Sequence, residues 1–216
     1  MRKLFNDYLN DNIKLNKKEL IGIIFLVVVI SGMFGCIYEV IFYYFNSGMK
    51  TFYYRGANFI PWINIYAYGA LLILLFNRKN KKKPLKIFLS SMLITGLLEF
   101  VSGYVMYHYF NGLRCWDYNT EIWNFGNIGG YVCLRSVGFF GLSSLILMYA
   151  ILPYCVWLAK RLKPKNFLIL STVLFSIIIF DESYNLFITR FTKTPRARAI
   201  YEKKGFNYME YRNETE

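Results

Sequence analysis

Four acidic side chains fall inside the most apolar stretches of this chain: Glu39 in "GCIYEVIF", Glu99 in "GLLEFVSG", and Asp181 and Glu182 in "IIIFDESYN". An ionised group near the centre of a bilayer costs about 2.5–3.5 kcal/mol even on the lenient insertion scale, so such residues must be paired, protonated or hydrated. They could bind a polar solute. With neighbouring arginines and tyrosines they could also perform acid–base work on a lipid headgroup or an isoprenoid, because burial favours the protonated form that general-acid work needs. The bases available near them are Arg55, Arg114 and Arg135.

The elements that must carry these acids are apolar runs. With 56% hydrophobic and 20% aromatic residues in 216 positions, the chain exceeds what a soluble core of this length requires. Crossing roughly 30 Å of hydrocarbon takes about 20 mostly apolar residues. Five runs qualify: Leu20 to Tyr44, Phe59 to Phe76, Leu85 to Phe110, Ser136 to Leu158 and Phe167 to Phe187. The fold class expected is all-α, a polytopic integral membrane protein of about five transmembrane helices. The first run is too long for a signal-peptide core, contains Glu39 and lacks a small-residue cleavage site. The chain divides into a basic cytoplasmic amino-terminal segment (1–19), a membrane domain (20–188) and a polar basic tail (189–216).

The net charge of +13 reads as orientation rather than nucleic-acid binding. Fifteen bases precede the first run or lie between runs two and three and runs four and five, whereas the opposite loops hold only Lys50, Arg55, Arg114 and Arg135. The amino terminus is therefore expected in the cytoplasm. Five spans would put the seven bases after Ile188 outside, against the same rule, and leave the carboxy-terminal topology open.

Runs one, three and five then all rise from inside to outside, so Glu39, Glu99 and Asp181 share the middle and outer part of the membrane. In the third run Ser91, Thr95, Glu99 and Gly103 recur every four residues, one polar and small stripe on a helix. Gly32, Gly35, Cys36 and Glu39 form a similar stripe in the first run, and the two are expected to meet, since small residues let helix backbones approach. Asp181 and Asn185 offer a polar face on the fifth. Above them lies "WDYNTEIWNFGNIGGYVCL", residues 116–134, which reads either as a lid over the acids or as an interfacial aromatic belt over a turn. The expected substrate-binding set is Glu39, Arg55, Tyr66, Glu99, Trp116, Asp117, Tyr118, Asn127, Arg135 and Asp181. The alternative is that the acids are architectural, holding helices together with no substrate.

No metal site is expected, because the four cysteines and the lone His108 show no ligand spacing. Cys115 and Cys133 could form a disulfide in an oxidising compartment.

"GCIYEV", "RG" followed by "IPWINIYAYGA", "LLEF", "WDYN" and "NIGGYVCLRS", in that order between Gly35 and Leu142, resemble the CmpB-like family of bacterial ABC-transporter permeases of type IV. The resemblance implies a transport-associated subunit of the cell membrane. The chain has no GxxxxGK[ST] phosphate loop and binds no cofactor of its own, so ATP would have to be used by a separate nucleotide-binding subunit. Its short cytoplasmic loops would leave docking to residues 1–19 or to a homo-oligomer. The competing readings are an intramembrane enzyme acting on a lipid or isoprenoid, and a non-catalytic accessory subunit that uses its basic tail as a contact surface. In each of them the partner is the lipid bilayer, and nucleic acid is excluded.

Overall fold

A computed structural model of the chain describes residues 2–192 and 194–208; Met1, Lys193 and residues 209–216 of the expected tail lie outside the described residues. The elements are α1 (Arg2–Leu9), α2 (Lys17–Asn46), α3 (Asn64–Asn77), α4 (Pro84–Tyr109), α5 (Leu134–Ile146), α6 (Leu152–Arg161), α7 (Pro164–Ser183), α8 (Thr189–Thr192) and α9 (Ala197–Lys203). Two five-residue π-helical stretches, Leu147–Ile151 and Tyr184–Ile188, join α5 to α6 and α7 to α8. Among the described residues strand pairing is limited to two isolated bridges.

Among the described residues four helices, not five, have the length and composition to cross a membrane: Lys17–Asn46, Pro84–Tyr109, Leu134–Arg161 and Pro164–Thr192. The second expected span, Phe59 to Phe76, is helical only over the 14 residues of α3. At 1.5 Å per residue that is about 21 Å, short of the hydrocarbon thickness. Pro61 explains the late start, since it has no amide proton and disfavours helical backbone in the residue before it. The non-helical backbone before α3 is seated on α2. Trp62 donates its indole N–H to the Val28 carbonyl at 3.1 Å, and the Ile63 amide donates to the Gly32 carbonyl at 3.1 Å.

The chain forms two compact units, one containing residues up to Leu71 together with Leu147–Tyr208 and the other Leu72–Ile146. In the first, α2 packs along α7 and α6. Gly22 faces the ring of the fully buried Phe167 and the Ser171 hydroxyl, and Phe25 stacks on Phe175 at 4.4 Å. A capping box starts α2: Asn16 accepts from the Glu19 amide and the Glu19 carboxylate accepts from the Asn16 amide. The same carboxylate receives Lys160 Nζ, 2.9 Å from both oxygens, closing the end of α6 onto the start of α2. Tyr8, on α1, donates its hydroxyl to the Met148 carbonyl within the first π-helical stretch, at 2.8 Å. Burial raises the Tyr8 phenol well above its ordinary pKa, which keeps it a donor.

In the second unit α4 packs on α5. The buried residues of α4 are Ile87, Ser91, Thr95, Glu99 and Gly103, the four-residue stripe expected from the sequence extended by one turn. Gly96 faces Val137, and Gly141 faces Phe88 and Met92. On α2, Trp62 lies over Gly32 and Tyr66 lies over Gly35. No disulfide joins Cys115 to Cys133: Cys133 is buried, while Cys115 is exposed and contacts the Met106 sulfur at 3.7 Å.

Candidate functional site: two clusters around intramembrane acids

In the first unit the non-helical segment after α2 folds back against that helix, and Glu39 meets it. Arg55 Nε lies 2.7 Å from Glu39 Oε2, with the two side chains 11% and 16% exposed. The guanidinium stacks over the Tyr43 ring at 4.2 Å, and the Arg55 carbonyl accepts from the Cys36 thiol at 3.3 Å. Cys36 and Glu39 are one helical turn apart, so one face of α2 fixes both ends of the arginine. Tyr66 is buried, with its ring over Gly35 and edge-on to Tyr38 at 6.4 Å.

Asp181 works on backbone. Its two oxygens accept from the amides of Phe59 and Ile60, at 3.0 and 2.7 Å, the residues at which α3 fails to begin. Asn185 donates to the Asp181 carboxylate and to its carbonyl, both at 2.9 Å, and accepts from the Ala197 amide at 2.8 Å. The Asp181 carbonyl also accepts from the Tyr184 amide, so the Asn185 side chain is a second donor to it at the start of the π-helical stretch. The segment after α8 returns to the same place: the Tyr201 hydroxyl donates to the Phe59 carbonyl at 3.0 Å, and the Tyr54 amide donates to the Asn207 carbonyl at 2.8 Å. Tyr54 packs against Tyr201, Phe206 and Tyr208, and burial raises its phenol well above the ordinary value, with Tyr201 and Tyr208 adding to it. The described tail therefore lies beside the first loop, far along α2 from Glu19. Glu182 accepts from Asn64 at 3.3 Å.

In the second unit Glu99 receives two hydroxyls. Tyr118 donates to Oε1 at 2.5 Å and Ser136 lies 2.5 Å from Oε2. Burial, then the facing Glu99 carboxylate, holds the Tyr118 phenol well above its ordinary value, so it stays protonated and donates. The Arg135 guanidinium lies 2.5 Å from Glu121, whose side chain is 1% exposed, and sits over the Tyr118 ring at 5.3 Å.

Residues 116–134 are buried toward both ends, at Tyr118 and Glu121 and again at Val132 and Cys133, and exposed between them. Tyr118 is buried, whereas Trp123, Phe125 and Ile128 are exposed. The turn is tied by polar side chains. Asp117 accepts from Asn119 at 2.8 Å, Asn119 accepts from Asn127 at 2.7 Å, and Asn127 accepts from the Gly130 amide at 2.9 Å. Gly130 has φ +79°, and a Cβ there would collide with Asp117, Asn119 and Arg114, so glycine is required. Arg114 lies over Tyr107 at 4.4 Å and contacts Asp117 at 3.4 Å, and Trp116 donates to the Tyr131 carbonyl at 2.9 Å.

Of the expected residues, Glu39, Arg55, Tyr66 and Asp181 fall in the first unit and Glu99, Trp116, Asp117, Tyr118, Asn127 and Arg135 in the second. Sequence reasoning missed Ser136, Glu121 and Glu19. Ser136 stood at the edge of a span, Glu121 within the loop itself, and Glu19 carried the one usable signal, the capping box "NKKE". Among the described residues no cluster of histidine, cysteine and acids could hold a metal.

No curated protein and no solved structure matches the chain. A family model does match, over residues 23–186, a stretch that takes in all four intramembrane acids and both clusters. This polytopic helical membrane protein belongs to the family described as "Putative ABC-transporter type IV".

Proposed function

We propose that the chain is a permease-like subunit of an ABC-type transporter in the cell membrane. Two polar clusters would face the outer side, Glu39, Arg55, Tyr66 and Asp181 in one unit and Glu99, Trp116, Asp117, Tyr118, Asn127 and Arg135 in the other. The observation that carries this reading is the non-helical stretch ending at Ile63, held at the middle of α2 by the Gly32 and Val28 carbonyls and at its start by Asp181. Irregular backbone at membrane depth is tolerated where protein covers it or where it lines a polar cavity, and interrupted helices of this kind build the substrate sites of many transporters. Energy would come from a separate nucleotide-binding subunit, since the sequence carries no phosphate loop.

The test is isolation of the tagged full-length chain from its native membrane after crosslinking in place. The reading expects a P-loop ATPase in the crosslinked complex, with ATP hydrolysis that falls several-fold in Glu39→Gln while the complex still assembles. A folded chain that crosslinks to no such ATPase refutes it.

A further inference from the structure

We infer that Glu99 is a proton-binding site, framed by Tyr118 and Ser136 so that the charged and the neutral carboxyl are both fully hydrogen-bonded. The argument begins with a count of hydrogens. Ser136 Oγ has one proton and two acceptors in reach, Glu99 Oε2 at 2.5 Å and the Cys133 carbonyl at 3.1 Å. When Glu99 is ionised, the Ser136 proton goes to Oε2 and the Tyr118 proton to Oε1. The Cys133 carbonyl is then not orphaned, because the Val137 amide donates to it at 3.2 Å. When Glu99 takes up a proton on Oε2, it becomes the donor to Ser136 Oγ, the serine turns its own proton to the Cys133 carbonyl, and Tyr118 keeps donating to Oε1. One proton arrives from water, one hydroxyl rotates, and no buried polar group loses a partner. Architectural carboxylates do not need such an exchangeable donor. Asp181, by contrast, faces two backbone amides and the Asn185 amide group, donors that cannot reverse.

Charge balance points the same way. Among the described residues, the groups that bear on Glu99 are the Ser136 hydroxyl and Arg135 from α5, and Tyr118 and Glu121 from the loop; the stripe on α4 itself, Ser91, Thr95 and Gly103, has no ionisable member. Arg135 and Glu121 pair with each other, so an ionised Glu99 leaves these three groups with one net negative charge, and a protonated one leaves them neutral. Tyr118 and Ser136 also bind residues 116–134 to α4 and α5, so the proton would be sensed by the segment over the site.

The inference does not depend on the transport reading, and its test needs neither a substrate nor an ATPase. The purified full-length chain in lipid nanodiscs is titrated by infrared difference spectroscopy. The expected result is a carboxylic-acid C=O band that is lost as pH rises and is missing from Glu99→Gln. In Tyr118→Phe the titration midpoint moves upward, because the Tyr118 hydrogen bond, made in both states, is stronger to the charged carboxylate than to the neutral acid. A Glu99-dependent band absent at every pH, or present unchanged at every pH, overturns the inference, as does a midpoint that Tyr118→Phe leaves in place. If Glu99→Gln does not fold, the band is identified in wild type by isotope-labelled glutamate, and its presence and its shift in Tyr118→Phe decide in the same way.

Discussion

The Ile63 amide donates to the Gly32 carbonyl at 3.1 Å, which sets non-helical backbone against the middle of the 30-residue helix α2. That approach is open only because Gly32 has no side chain: a Cβ there would fall inside the Trp62 indole. Gly32→Leu is expected to lower the amount of folded protein and to cost at least about 1–3 kcal/mol, the usual range for overpacking. Gly138→Ala is the control, since open space surrounds that position and alanine suits a helix better. Thermal unfolding in detergent, followed by size exclusion, measures both, and equal midpoints for the two variants would remove the packing argument.

Asp181 holds the amides of Phe59 and Ile60 with separate oxygens. Asp181→Asn replaces one acceptor with a donor facing an amide, so one buried N–H loses its partner at a cost of about 1–3 kcal/mol. A single cysteine at position 60 in a cysteine-free background should react with a thiol reagent faster in Asp181→Asn than in the parent. Unchanged reactivity would mean that the segment is held without Asp181.

Glu39 and Arg55 form a half-closed pair in which either partner alone would be a poorly hydrated charge. Removing one member, by Glu39→Gln or Arg55→Ala, is expected to cost about 3–5 kcal/mol, and the double variant less than the sum. A double-mutant cycle on unfolding free energy checks this. Strict additivity would show that the pair contributes no coupling.

The distribution of bases predicts that the α3–α4 turn faces the cytoplasm and the 110–133 loop faces outward. Single cysteines at positions 81 and 119 test it in intact cells. Labelling of position 119 without permeabilisation, and of position 81 only after it, is the expected pattern; the reverse pattern inverts the topology. The described tail shares the side of the first loop, because Tyr201 and Asn207 bond Phe59 and Tyr54. Asn207→Cys should therefore label with position 119.

The sequence by itself determined the helical membrane class, the apolar runs and the buried stripe Ser91, Thr95, Glu99 and Gly103, because these follow from composition and from a periodicity that neighbours along one helix share. It also determined that Glu39, Glu99 and Asp181 needed partners, since the cost of a charge in hydrocarbon does not depend on what compensates it. Tertiary structure alone decided what those partners were. Arg55 reaches Glu39 only because the chain folds back after α2, and Ser136 reaches Glu99 only because α5 packs on α4. The same limit applies to the second apolar run: its hydropathy resembled a span, but Asp181, more than a hundred residues away, supplies acceptors that let Phe59 and Ile60 leave the helix. Pro61 is a local reason for the late start of α3 that its own window shows, but local pattern carries no record of the Asp181 hydrogen bonds made across that separation.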